Sequence, residues 1–238
     1  MADRVGTSGW SYDEWTGPFY PEGTAAPARL SFYAQRLGAV EVNNTFYRLP
    51  KREVLAGWAE QVPDEFRFVI KASRRITHKG KLGPDAREPL EYLVRNVSEM
   101  GPSFGALLVQ TPPWLKADLD TLRTFLDWIP EGVRAAFEFR SRSWFEDPVI
   151  EALAERGHAF AAADTGNPDK DPPLAAGGGW CYARLRREDY DDGALEEWAR
   201  RLVALPVEDR FVFFKHEDEA AGPRMAARFT ELLKEASA

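Results

Sequence analysis

The feature that most constrains this chain is an alternation that recurs eight times. Short runs rich in β-branched, aromatic and small apolar residues are followed by longer runs with apolar residues at helical spacing. The strand-like runs are Val5–Gly9, Ala39–Phe46, Phe66–Ala72, Phe104–Gln110, Val133–Phe139, Phe160–Asp164, Trp180–Leu185 and Arg210–Lys215. Between them, Leu30, Tyr33, Ala34 and Leu37 share one helix face, as do Leu90, Leu93, Val94 and Val97. Further helical runs are predicted over 51–61, 118–128, 147–156, 194–204 and 223–236. Residues 165–179 are rich in Pro and Gly, so the helix after strand six is expected to be short or missing. Strands alternating with helices mean parallel βαβ units. Eight of them in 238 residues predict one parallel (β/α)8 TIM-type barrel spanning residues 1–238. The rival is an open doubly wound sheet, which is usually marked by a Gly-rich phosphate turn. No GxGxxG or Walker-type loop occurs here.

Composition narrows the setting. The single cysteine, Cys181, permits no intrachain disulfide and no Cys-rich metal site. The N-terminus carries no signal-like apolar run, and no stretch approaches the roughly 20 apolar residues of a membrane helix. A cytoplasmic protein without membrane partners is expected. The formal net charge of −7 argues against a general nucleic-acid coat but leaves room for a local basic cleft.

The strands turn polar at their C-terminal ends, where barrel enzymes carry their catalytic groups. Residues two apart on a strand share a face. Strand two offers Glu41, Asn43 and Thr45; strand three Lys71; strand four Gln110; strand five Glu138 and Arg140; strand six Asp164; strand seven Tyr182 and Arg184; strand eight Lys215, followed by His216. Burying such groups without partners costs roughly 2–7 kcal/mol each, so a functional cluster is favoured over a salt-bridge plug.

Several segments are similar to the YecE-like family, also called domain of unknown function 72. They are Val5–Trp10 with Tyr12, Trp15 and Phe19–Pro21, then Val40–Pro50, Phe68–His78, Leu107–Pro113, Phe137–Trp144, and Tyr182 with Arg184. The resemblance runs the whole chain in order and implies a barrel of the β/α type, with no established reaction. Two departures stand out. Where the family often has His-Gly after the Tyr–Arg pair, Arg186 and Arg187 occur. Where it favours paired Asn after strand eight, Lys215 and His216 stand.

Chemically, Glu41, Glu138 and Asp164 are the candidate catalytic carboxylates, because paired carboxylates across a cleft serve as acid and base. Trp10, Asn43, Tyr47, Lys71, His78, Gln110, Arg140, Trp144, Tyr182, Arg184 and Lys215 are the candidate substrate-binding residues. A desolvated lysine can form a Schiff base, but nearby carboxylates are expected to keep Lys71 charged and to leave it an anion- or hydroxyl-binding role. The run 71–81 contributes Lys71, Arg74, Arg75, His78, Lys79 and Lys81 without an acid, suited to phosphate or another anion. Glu41, Glu138, Asp164 and His216 offer oxygen-rich ligands for Mg or Mn. No ligand spacing supports such a site, and no cofactor is expected. Ser8 and Ser141 sit in loops outside any GxSxG elbow. The favoured reading is an enzyme of hydrolase or lyase type acting on a small anionic, phosphorylated or hydroxylated substrate. The alternatives are a nucleic-acid-binding, nuclease-like barrel and a non-catalytic ligand-binding protein.

Overall fold

Eight parallel strands close into a barrel in sequence order, with β1 paired to both β2 and β8. The structure, a computed structural model, describes residues 2–215 and 218–237. The strands are β1 (Ala2–Ser8), β2 (Ala39–Val42), β3 (Arg67–Lys71), β4 (Phe104–Gln110), β5 (Ala135–Glu138), β6 (Ala159–Asp164), β7 (Trp180–Leu185) and β8 (Asp209–Phe214). The α-helices among the described residues are α1 (Arg29–Ala34), α2 (Arg52–Ala59), α3 (Arg87–Val97), α4 (Leu119–Leu126), α5 (Asp147–Glu155), α6 (Asp192–Val203) and α7 (Ala221–Ala236). The expected gap is real: β6 passes to β7 through an irregular link with no helix. The link is held by Asp171, whose carboxylate accepts from the backbone N–H and hydroxyl of Thr165. None of the described helices is long and apolar enough to cross a membrane.

Alternation on the strands sorts side chains into two cores. Outward residues such as Val40, Phe68, Leu107, Phe137 and Phe160 pack with the helices. Inward residues form a separate cluster of Ala39, Val69, Ala106, Leu108, Ala136, Ala159, Ala161, Trp180, Tyr182, Phe211 and Phe213. Aromatic bulk therefore comes from β7 and β8, and the alanines of β2, β4, β5 and β6 make room for it. A closed eight-stranded interior filled this way is a packed core, not a pore. The polar strand-end groups gather above this core, at the C-terminal mouth.

One boundary differs from the sequence reading. β2 ends at Val42, and residues 44–46 form a 3-10 turn. The Thr45 hydroxyl lies 2.9 Å from the Val42 carbonyl and 2.7 Å from that of Lys71, sharing its proton between them. That turn ties the end of β2 to the end of β3 and removes Thr45 from the cluster of strand-end polar groups.

Candidate functional site

Above the apolar interior lies a buried ionic layer centred on Arg184 of β7. Its Nη2 donates to Glu41 Oε1 at 2.6 Å, and its Nη1 donates to Glu138 Oε2. Glu41 Oε1 also accepts from Ser8 Oγ (2.8 Å) and Asn43 Nδ2 (2.8 Å), and its Oε2 accepts from the Tyr182 hydroxyl (2.6 Å). Glu138 accepts from Gln110 Nε2 (2.9 Å) and, more distantly, from Arg186 Nη1 (3.4 Å). The register makes this layer: Ser8 is the partner of Glu41, and Gln110 of Glu138, across adjacent strands. One guanidinium thus bridges two carboxylates drawn from strands β2 and β5, using the fork geometry that only arginine provides. Its Nε is buried without a partner among the described residues.

Electrostatics follow from that arrangement. Burial alone would raise the pKa of Glu41. The Arg184 charge and the hydrogen bonds from Tyr182, Arg184 and Asn43 outweigh it and hold the carboxyl at about 2. Glu138 is likewise lowered, burial being outweighed by Arg184 and Arg186. Both carboxyls are therefore ionised across the neutral range, with their oxygens already engaged. That is a poor starting point for a general acid, whose pKa should lie near the working pH.

Directly above is a cavity of about 390 Å³ lined by Ser8, Tyr12, Asn43, Phe46, Tyr47, Lys71, His78, Gln110, Arg140, Arg184, Arg186 and Lys215. Neither glutamate reaches its wall. Among the described residues, five cationic side chains and one imidazole face the space, and no carboxylate does. Lys71 has no carboxylate in ion-pair contact among the described residues, and its Nζ sits 4.9 Å from the Phe46 ring centroid. Burial and the nearby Arg184 lower its pKa to about 8, against the opposing pull of Glu41 and Glu138. Glu41 and Glu138 thus pull Lys71 toward the charged form, as expected, but both are ion-paired to Arg184. His78 bonds through Nδ1 to the Thr77 hydroxyl (2.8 Å), and burial, Lys71 and Arg140 lower its pKa. Tyr47 and Trp114 stand on the rim, 73 % and 54 % exposed, with Lys81 Nζ 5.7 Å from the Trp114 ring.

Most of the residues singled out in the sequence meet here: Asn43, Tyr47, Lys71, His78, Gln110, Arg140, Arg184 and Lys215 line the cavity, with Glu41, Glu138 and Tyr182 beneath. Three do not. Asp164 faces outward from β6, accepting from Trp198 Nε1 (2.8 Å) and from the Gly166 N–H (3.1 Å). Trp144 is buried in the outer layer, stacked on Phe139 at 4.4 Å, with its Nε1 donating to the Leu115 carbonyl. Trp10 packs against Trp58 and lines a neighbouring cavity of about 220 Å³. Of the basic run, Lys71 and His78 reach the cavity, whereas Arg74, Arg75, Lys79 and Lys81 are exposed. Phe46 and Arg186 line it as well, and Ser8 and Tyr12 are additions. Ser8 closes β1 and does not sit in a loop, and Arg186 follows Tyr182 and Arg184 at the same spacing of two.

For a metal, the donor set is poor. Among the described residues no three His, Cys, Asp or Glu side chains gather as ligands, and the Glu41 and Glu138 oxygens already accept hydrogen bonds. His216 lies outside the described residues.

The sequence profile of the family described as "Protein of unknown function DUF72" matches residues 4–238. Among curated proteins, UPF0759 protein YecE of Escherichia coli K12 is 31% identical over 154 residues, covering 64% of this chain and 54% of that protein. UPF0759 protein YunF of Bacillus subtilis is 27% identical over 161 residues, covering 62% and 54%. The chain thus matches about half the length of these curated relatives. Among solved structures, a DUF72 family protein from Thermotoga maritima superposes with a TM-score of 0.84 at 25% identity, covering 98% of this chain and all of that one. SacUVDE superposes with a TM-score of 0.55 at 10% identity, covering 99% and 98%, which is a likeness of fold alone.

Proposed function

The chain belongs to the DUF72 family, and from that premise we propose that its barrel mouth binds a small molecule bearing phosphate or a comparable anionic group. The observation that carries this reading is the wall of the cavity: Lys71, His78, Arg140, Arg184, Arg186 and Lys215 converge on it, with no acid among the described residues that line it. In a protein with a net charge of −7, so local a concentration of cations needs a counterpart. Guanidinium and ammonium groups supply charge-assisted hydrogen bonds to phosphate oxygens. Glu41 and Glu138 then act as positioning residues that hold Arg184 upright. Proton transfer falls to Lys71, whose pKa, lowered to about 8, lies nearer the neutral range, with the His78 imidazole beside it on the same wall.

A second reading has one observation in its favour. Tyr47 and Trp114 are exposed on the rim beside Lys81, and aromatic faces interleaved with cations suit a single polynucleotide strand.

Thermal shift with inorganic phosphate, pyrophosphate, phosphosugars and short oligonucleotides tests both. A ligand at about 100 times its Kd adds roughly 2.7 kcal/mol of stability, or some 5–11 °C at about 2–4 °C per kcal/mol. The expected result is stabilisation by small phosphate-bearing probes that disappears in Arg140→Ala/Lys215→Ala. Stabilisation by oligonucleotides alone, falling steeply with salt, would transfer the assignment to the second reading. No shift with any anion would remove both.

A further inference from the structure

We infer that Lys71 is an imine-forming lysine, whose ε-amine condenses with the carbonyl group of a small compound that also carries a phosphate. The inference rests on the anion-binding reading and adds a covalent step to it. Lys71 ends β3, and its side chain passes over Phe46 into the cavity. Among the described residues, the charged groups facing it are these. Arg184 and Arg186 approach from β7 and the segment after it, Arg140 from beyond β5, Lys215 from beyond β8, and His78 from the turn after β3. The acids, Glu41 and Glu138, lie below and are bridged by Arg184. A lysine confined among arginines, with no carboxylate of its own among the described residues, is the arrangement that yields a neutral, nucleophilic amine. With its pKa lowered to about 8, about half of its amines are neutral at that pH, against under one in a hundred for an ordinary lysine.

The step balances without a redox partner. The Nζ lone pair attacks the carbonyl carbon, the carbonyl oxygen gains a proton, and Nζ loses one, giving a carbinolamine. Protonation of its hydroxyl expels one water and leaves the C=N bond. His78 lines the same wall, and its Nδ1 is held by Thr77. Its Nε2 is the group suited to lend and recover the proton. Arg140, Arg186 and Lys215 hold the phosphate, so only a carbonyl carried on an anion reaches the amine.

Pyridoxal 5′-phosphate is the probe, trapped with borohydride and located by peptide mass mapping at pH near 8. The expected result is secondary-amine labelling at Lys71 at least about tenfold above any exposed lysine, suppressed by inorganic phosphate and absent in Lys71→Arg. Pyridoxine 5′-phosphate, which has an alcohol in place of the aldehyde, is measured in parallel by equilibrium binding. If it binds and phosphate displaces it while Lys71 stays unlabelled, the imine inference is overturned and the anion reading stands. If it does not bind and Lys71 is unlabelled, both fall. Labelling spread evenly over the lysines, or unaffected by phosphate, also overturns the inference.

Discussion

Arg184 decides what the two glutamates are. A lone buried carboxylate would take up a proton; two of them flanking one guanidinium stay charged, and the three side chains form a single electrostatic unit. Removing the centre of such a unit costs more than the unit itself contributes, because the acids are left uncompensated. Arg184→Met should therefore destabilise the protein by about 3–5 kcal/mol, read as a fall in the urea midpoint. The triple change Glu41→Gln/Arg184→Met/Glu138→Gln should recover most of that loss, since an apolar or neutral replacement of a whole buried ion set is often tolerated. The same triple variant should still fail to bind phosphate. A single variant as stable as the parent would show that the triad carries no structural load. Lysine is no substitute here, because one ammonium cannot present two parallel donors to acids on opposite sides.

At the level of elements, the closest constraint lies where β1 meets β2. Gly6 pairs with Ala39, and a Cβ placed on Gly6 would lie 1.8 Å from the Ala39 carbonyl oxygen. The same region is pinned by the Tyr33 hydroxyl, which donates to Ala39 O and accepts from the Thr7 N–H. Gly6→Ala must therefore part the two strands that carry Ser8 and Glu41. A loss above about 4 kcal/mol, in the exceptional range for one substitution, is expected from denaturant unfolding; a loss under about 1 kcal/mol would mean the strands separate freely. The elements themselves were legible because period-two and helical spacing alternate so regularly. The missing helix after β6 was legible from Pro and Gly. What misled was local mimicry. Glu41, Asn43 and Thr45 read as one strand face, yet the Thr45 hydroxyl turns the chain after Val42. The run AFAAAD in β6 has alanine on its inward face, so sequence offers no contrast to show that Asp164 points outward. Trp144 has an aromatic's two options, mouth or outer layer, and its stacking on Phe139 settles it for the outer layer. The alternating Tyr182, Arg184 and Arg186 were readable from spacing, whereas the lack of an acid paired to Lys71 among the described residues was not. That depends on one arginine reaching two strands.

For the whole molecule, the same burial that builds the two cores sets its response to acid. His158 is buried at the N-terminal side of β6, near Phe137, with its Nδ1 unpartnered among the described residues. Burial, aided by Arg156, lowers its pKa from 6.5 to about 4. A group whose folded pKa is depressed stabilises the fold above its unfolded pKa, because the unfolded chain binds the proton first as pH falls. The contribution of His158 is thus complete above pH 6.5, shrinks between 6.5 and 4, and amounts to roughly 3 kcal/mol across that window. His78, also lowered, adds in the same direction. The acids act later. Glu41, held at about 2, stabilises the fold above its unfolded value of 4.5 and loses that contribution as pH drops toward 2. Acid unfolding should accordingly proceed through two windows, imidazoles first and buried carboxyls second. Against a total stability of about 5–15 kcal/mol, the first window removes a substantial share of the margin and the second removes more. Urea unfolding at pH 7, 5.5 and 4 measures the slope, and His158→Leu should remove most of it whatever the variant's stability at pH 7. A parent whose stability is flat from pH 7 to 4 would mean that the unfolded and folded imidazoles titrate alike, and that His158 finds a proton acceptor in the folded protein.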